Sequence, residues 1–258
     1  MIIDTHIHLD HKLYLDDLEE VLKRAEANGV GRFIIPGADP KDIDRAVEIS
    51  EKYDHVYFAV GVHPYDMEGF GDLDFEKYIS HPKCVAVGEC GLDYYRLEGT
   101  PEEKEFEKKR QKEIFAAQIG IARKFGKPLI VHIRDASIDA KTLLLKHNAK
   151  EVGGVLHCYN ANEQLLPLAD ENFYFGIGGV LTFKNAKKLV EVLTKIPQKR
   201  LLVETDGPYL TPHPHRGKRN EPLYTTLIVE KMAQLLGLSV EKVTEITTGN
   251  ALKLFNIK

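Results

Sequence analysis

Residues 84–133 read CVAVGECGLDYYRLEGTPEEKEFEKKRQKEIFAAQIGIARKFGKPLIVHI. Apolar, β-branched runs at 84–89 and 128–133 flank a long charged stretch at 101–126, the order of a strand, a helix and a second strand. The helix carries its own boundaries. Thr100 suits the N-cap, Pro101 the first helical position, and Glu103 completes a capping box. Phe115, Ile119 and Ala122 recur on one face, and Gly126 ahead of Lys127 and Pro128 stops the helix. Lys108, Lys109, Arg110 and Lys112 are interleaved with Glu105, Glu107 and Glu113, the pattern of a solvated helix face rather than a nucleic-acid patch.

The same unit repeats outward in both directions. Further strands are expected at 2–8, 31–36, 56–61, 154–158, 172–177 and 200–205, with amphipathic stretches at 16–28, 40–53, 72–80, 135–147, 161–170, 183–195 and 221–237. Eight strand–helix units in 258 residues predict an α/β fold, a (β/α)8 TIM barrel filling one domain over 1–258. Residues 239–257 add a C-terminal helix, with Ser239 as N-cap and Glu241 in its first turn. A doubly wound sheet is the rival, but its glycine fingerprint is absent after the first strand. An apolar content of 43% excludes a disordered or fibrous chain, and no apolar run approaches the ~18 residues of a membrane helix. MIIDTHIHLD at the start has neither a basic n-region nor an apolar h-region, and three cysteines make no disulfide framework. These features predict a cytoplasmic protein with no membrane contact, and no obligatory protein partner is evident. A net charge of −4 argues against broad coating of nucleic acid and leaves room for a local phosphate site.

Strand alternation places Asp4, His6 and His8 on one face and Ile3, Thr5 and Ile7 on the other. Inward residues at the C-terminal ends of barrel strands form the mouth, where active sites lie. A lone core histidine is ordinarily just hydrogen-bonded, but two at i, i+2 can converge on a cation. Glu89 at the end of the fourth strand, His132 on the fifth, His157 on the sixth and Asp206 after the eighth repeat that placement. Scattered core histidines have no reason to keep it. Four imidazoles and two carboxylates exceed the needs of one tetrahedral catalytic ion and match two ions sharing a carboxylate. Glu89, on the middle strand of the set, is the best bridge. The expected cofactors are two divalent cations of open identity: Zn, Mn, Ni, Co or Fe suit N/O donors, while Mg more often keeps oxygen ligands and water.

With these residues in view, the chain resembles the TatD family of metal-dependent deoxyribonucleases, among the amidohydrolase-like barrels. The resemblance runs essentially end to end. It rests on Asp4-Thr5-His6-Ile7-His8, Gly61-Val62-His63-Pro64, Gly88-Glu89-Cys90-Gly91-Leu92-Asp93, His132-Ile133-Arg134-Asp135, His157-Cys158-Tyr159 and Glu204-Thr205-Asp206-Gly207-Pro208-Tyr209-Leu210. Arg216-Gly217-Lys218-Arg219-Asn220-Glu221-Pro222 and a late Gly249-Asn250 also match. It implies that His6, His8 and Asp206 hold one ion, that His132 and His157 hold the other, and that Glu89 bridges them. Relatives acting on cyclic amides or phosphotriesters commonly bridge with a carboxylated Lys from the fourth strand; Glu89 there favours TatD. The expected activity is two-metal phosphodiester hydrolysis, with DNA ends or single strands as substrate. A metal-activated water attacks phosphorus, Asp206 being metal ligand and proton acceptor and Glu89 the second catalytic carboxylate. Alternatives are an amide or ester hydrolase of the same superfamily, a D-aminoacyl-tRNA deacylase, or a non-catalytic metal-dependent binding module.

On the substrate side, His63, Arg134 and Arg216 are the candidates, with Lys218 and Arg219 completing a basic run after Asp206. Arg134 is the first choice for a phosphate clamp, an ion pair being its rival role. Tyr94 and Tyr95 can stack on a base or pack against their loop. Cys90 and Cys158 alternate away from their neighbours and read as small buried hydrophobes. Asp4 and Glu204 point inward below the ligands, as hydrogen-bond partners of imidazole or water, or as braces of the barrel. His213 and His215 read as loop residues, as does His11.

Overall fold

Eight parallel strands follow one another in sequence order in the computed structural model, which describes residues 1–257. They are β1 (Ile2–Asp4), β2 (Val30–Ile35), β3 (Val56–Val60), β4 (Cys84–Asp93), β5 (Leu129–Arg134), β6 (Gly154–Leu156), β7 (Phe173–Ile177) and β8 (Leu201–Val203). Helices α1 (Leu18–Ala27), α2 (Ile43–Lys52), α3 (Phe75–Ile79), α4 (Pro101–Phe125), α5 (Ser137–Lys146), α6 (Lys187–Leu193) and α7 (Thr225–Leu236) pack outside, and α8 (Val240–Phe255) follows. Every expected strand is present, and the barrel is nearly closed. Between β6 and β7 the expected helix over 161–170 is a 3-10 segment, Glu163–Ala169, with Pro167 inside it. Proline removes an amide donor and clashes with an α-helical turn, which explains the difference.

The capping box of α4 forms as the sequence indicates: Glu103 N–H donates to Thr100 Oγ1, and Thr100 N–H donates to Glu103 Oε2. Gly126 ends the helix in the left-handed region, at φ 64°.

Two apolar clusters define inside and outside. The larger joins alternate strand residues to the helices, as in Phe33, Phe58, Val131 and Phe175 with Phe115 and Ile228. The smaller takes Ile3, Ile34, Ala59, Ala86, Ile130, Val155, Tyr174 and Leu202 from the strands, and Ala251 and Phe255 from α8. It fills the lumen, and α8 closes it.

Besides a step early in β4 where Val85 and Ala86 both join the lumen cluster, strict alternation fails at two steps on the way to the mouth. Ile3 belongs to the lumen cluster, not to the outer face expected of it, and β1 ends at Asp4, well short of residue 8. Asp4 accounts for that ending. Its Oδ1 accepts from the His6 and Thr205 amides and its Oδ2 lies 2.6 Å from the Thr205 hydroxyl, turning the chain across to the segment after β8. On β4, Val87 pairs with Leu129 and Cys90 with Val131, so Gly88 and Glu89 together face Ile130. Glu89 therefore sits at an irregular step inside a strand that continues to Asp93, not at its end. A bulge of this kind re-aims a side chain. Gly88 permits it: a Cβ there would lie 2.6 Å from Ile130 Cβ.

Candidate metal centre

The seam between β1 and β8 carries the first group of donors. Ile7 bridges to Gly207, His8 N–H donates to Gly207 O at 2.9 Å, and Asp206 N–H donates to His6 O at 2.9 Å. Asp206 adopts φ 58°, a conformation costly for a non-glycine residue, and these crossed bonds hold it there. Its Oδ1 lies 3.7 Å from His6 Nε2 and 3.6 Å from His8 Nε2.

Glu89 reaches the same point from the opposite wall. Its Oε2 is 3.3 Å from His6 Nε2 and 3.8 Å from His8 Nε2. Its Oε1 turns to other imidazoles: His132 Nδ1 at 3.0 Å, His157 Nε2 at 3.2 Å and His63 Nε2 at 3.6 Å. Three groups of donors are close enough to share an ion: His6, His8 and Asp206; His6, Glu89 and His157; His63, Glu89 and His132. The structure thus brings together all six residues singled out as ligands, and adds His63, which the sequence placed on the substrate side.

Three of the imidazoles have a hydrogen-bond partner behind them. His132 Nε2 contacts Asp93 Oδ2 at 2.9 Å, leaving Nδ1 for the centre. His157 Nδ1 contacts Glu204 Oε1 at 3.3 Å, leaving Nε2. Such pairs set the tautomer and orientation of a metal-binding histidine. His63 differs. Tyr65 N–H donates to its Nδ1 at 3.1 Å, so the neutral ring carries its proton on Nε2 and points a donor at the centre. Burial pushes the His63 imidazole down to about 3, which keeps it neutral. Of the inward carboxylates, Glu204 meets an imidazole as expected, whereas Asp4 meets Thr205 and the His6 backbone. Asp93 was missed because the strand was expected to stop at Glu89; reading it on by four residues puts both on one side.

The electrostatics follow from this crowding. Burial raises the Glu89 carboxyl, but His157, His6, His63 and the His132 hydrogen bond outweigh it and hold it well below its usual value. Burial lowers His157, yet Glu89 and Glu204 lift it well above an ordinary imidazole. Against burial, His132 and Tyr65 hold Asp93 at about 2. His6 is pushed down by burial and by His157. Among the described residues, neither of its buried ring nitrogens has a hydrogen-bond partner, nor has Glu204 Oε2. Buried polar atoms are rarely left so, and Nε2 lone pairs converging with carboxylate oxygens are what a divalent cation satisfies. The donor set fits metal.

Farther out, the basic residues divide. Arg134 lies 3.7 Å over the Tyr95 ring with no carboxylate partner among the described residues. Arg216 donates to Thr211 O at 2.8 Å and lies over Phe183. Arg219 is committed to Asp17 and Glu221, so its charge is spent on the fold rather than on substrate. Tyr94 packs, its hydroxyl 2.8 Å from Asp139 Oδ2, while Tyr95 is exposed. Cys90 is buried, but Cys158, expected to face away, lines a cavity with His132, His157 and Asp206 because φ 43° breaks the strand there. Burial pushes its thiol up to about 12, so it is no thiolate. His11 caps a short 3-10 helix, and His213 and His215 pack against Phe183 and Tyr224.

Comparison with known proteins gives the family. Residues 3–256 match the family model of TatD-related DNases. The uncharacterized metal-dependent hydrolase YabD of Bacillus subtilis is 44% identical, covering 100% of both chains. The protein named 3′-5′ ssDNA/RNA exonuclease TatD in Escherichia fergusonii is 34% identical over 98% of each. The crystal structure of YJJV, a TatD homologue from Escherichia coli, superposes with a TM-score of 0.88 at 28% identity, over 100% of this chain and 98% of that one. The chain with this His/Glu/Asp cluster at its barrel mouth belongs to the TatD-related DNase family and is a metal-dependent hydrolase.

Proposed function

We propose that the chain hydrolyses phosphodiester bonds with two divalent cations, acting on DNA at ends or in single strands. The observation that supports this most is the division of labour at Glu89, whose two oxygens face two different sets of imidazoles. In this reading His6, His8 and Asp206 hold one cation, His132 and His157 the other, and Glu89 spans both. Bound there, the cations supply Lewis acidity and bring the pKa of a coordinated water towards ~7.

The chain's own groups do the rest. Asp206 is the carboxylate that water reaches, its side chain 15% exposed against 4% for Glu89, so it orients the attacking water and accepts its proton. His63 directs Nε2–H at the substrate's phosphoryl oxygen. Arg134, held flat by Tyr95, faces the cavity beside the cluster and meets phosphate charge. Arg216, on the segment after β8, donates to Thr211 O through Nη1 and keeps its other guanidinium donors for substrate. The mouth takes a strand end more readily than the middle of a duplex, and the net charge of −4 supplies no coating surface.

Reconstitution with each divalent metal and incubation with end-labelled single- and double-stranded DNA, with RNA and small amides alongside, tests the reading. Stepwise shortening of single-stranded DNA, lost on chelation, is the expected result. Amide or ester cleavage with no phosphodiester cleavage under any metal would sink it.

A further inference from the structure

The barrel is closed differently along one line than along all the others. Hydrogen-bonded ladders join its strands in order from β1 to β8, and among the described residues none joins β8 back to β1. Both strands at that seam are only three residues long. An isolated bridge crosses it, Ile7 to Gly207, with main-chain bonds from Thr5 to Val203, from Asp206 to His6 and from His8 to Gly207. Asp4 and Thr205 add side-chain bonds beside them. Main-chain bonds outside a continuous ladder open at lower free energy than the strands of a core.

Each end of the seam is fastened by something other than the sheet. At the N-terminal end of the strands the fastening is α8. The Thr248 hydroxyl donates to Met1 O at 2.7 Å on one side, and Asn250 Nδ2 donates to Leu201 O at 2.8 Å on the other. At the mouth end, the side chains that face each other across the seam are metal donors. His6 and His8 come from the β1 side and Asp206 from the β8 side, with Asp206 Oδ1 3.7 Å and 3.6 Å from the two Nε2 atoms. No hydrogen bond ties the His6 ring to Asp206 among the described residues. The other donors are placed differently. Glu89 and His132 lie on β4 and β5, and His157 directly follows β6, on strands already joined by ladders.

We propose that the cation held by His6, His8 and Asp206 has a structural function besides its chemical one: it is the mouth-end clasp that joins the first strand of the barrel to the last. The proposal rests on the cation assignment made above and separates the two ions. One fastens the seam, and the other sits on a wall that holds without it. Losing the first should free residues 5–8 and 204–207 before the rest of the barrel.

Hydrogen–deuterium exchange of the full chain, in metal and in chelator, tests this over times at which peptides from β3 and β7 stay protected. With free Zn²⁺ or Mn²⁺ at about ten times its dissociation constant, exchange in peptides spanning 4–9 and 203–208 should be about tenfold slower than in chelator. Peptides spanning 129–134 and 154–158, which carry the other donors, should change by less than about twofold. His8→Ala, at a partly exposed side chain, should bind one cation fewer, and metal should no longer slow the seam peptides. Equal exchange at the seam with and without metal overturns the proposal, and this comparison needs no variant. So does slowing that is as large in 129–134 and 154–158 as at the seam. A folded His8→Ala protein that binds one cation fewer yet keeps the seam effect overturns it as well. Native mass spectrometry counts the cations separately. Two bound without a seam effect refutes the clasp alone, whereas none bound refutes the two-cation reading and the clasp with it.

Discussion

His132 keeps one nitrogen for the centre: Nε2 is taken by Asp93, and Nδ1 faces Glu89. The residue that determines what this imidazole offers is therefore not at the centre. Asp93→Ala should weaken metal binding about 10–100-fold, the usual effect of removing a carboxylate behind a metal-binding histidine. Competition against a chelator measures it, and unchanged affinity would remove Asp93 from that role. Asp4 makes the opposite point, a carboxylate that serves the backbone. Burial pushes it up to about 8 against the bonds from Thr205 and the His6 amide. The folded chain then keeps a proton that the unfolded chain, with the carboxyl at 3.8, has released. Its contribution to stability is full at low pH and fades as pH rises from about 4 to about 8. Asp4→Asn should remove that part of the slope, up to about 1.4 kcal/mol per pH unit. Urea unfolding of both proteins in chelator across that range checks it; parallel profiles refute it. His6, His8, Glu89, His132, His157 and Asp206 were legible as one group because each follows an apolar run at its C-terminal end. Asp93 and the inward role of His63 were not, since each depends on a neighbour distant in sequence.

At the scale of elements, α4 does more than cover the barrel. Gln111 and Gln118 lie on its buried face with Phe115 and Ala122. Gln111 accepts from Asp93 N–H and donates to Asp93 O; Gln118 does the same for Val62. Asp93 ends β4 and Val62 lies just past the end of β3; they precede, respectively, the loop of Tyr94 and Tyr95, and His63, and neither finds these partners in the sheet. Gln111→Leu would orphan a buried N–H and C=O together, each costing about 1–3 kcal/mol, so a loss of about 2–6 kcal/mol is expected in denaturant unfolding. A loss well below 1 kcal/mol would mean that water replaces the amide. The apolar stripe of α4 was visible in the sequence, but the glutamines were not, because a buried amide leaves no periodic signal. The same limit appears in β1 and β4. Period-2 reading survives on β5, where Ile130 faces the lumen and His132 the cluster. It fails where Asp4 turns the chain and where Gly88 and Glu89 share one partner residue.

For the whole molecule, the placement of charge matters more than its sum. Acidic side chains converge on the centre, while Arg219 is consumed by Asp17 and Glu221, leaving Arg134 and Lys188 free beside the cavity. With about two phosphate contacts at ~0.7 each, the logarithm of affinity for single-stranded DNA should fall against that of salt with a slope of about −1.4. Titrations over a range of KCl measure it, and a slope several times steeper would mean an extended basic track. The sequence alone determined the eight-unit barrel and six of the side chains that cluster at its mouth. Both are written in local order, as apolar runs, caps and the residue ending each run, and closing the strands in order brings those ends together. Tertiary structure alone decided which oxygen of Glu89 meets which imidazole, which nitrogen each imidazole presents, and which cations stay free. Those outcomes depend on a bulge, a seam and hydrogen bonds between residues far apart in the chain, which no local pattern encodes.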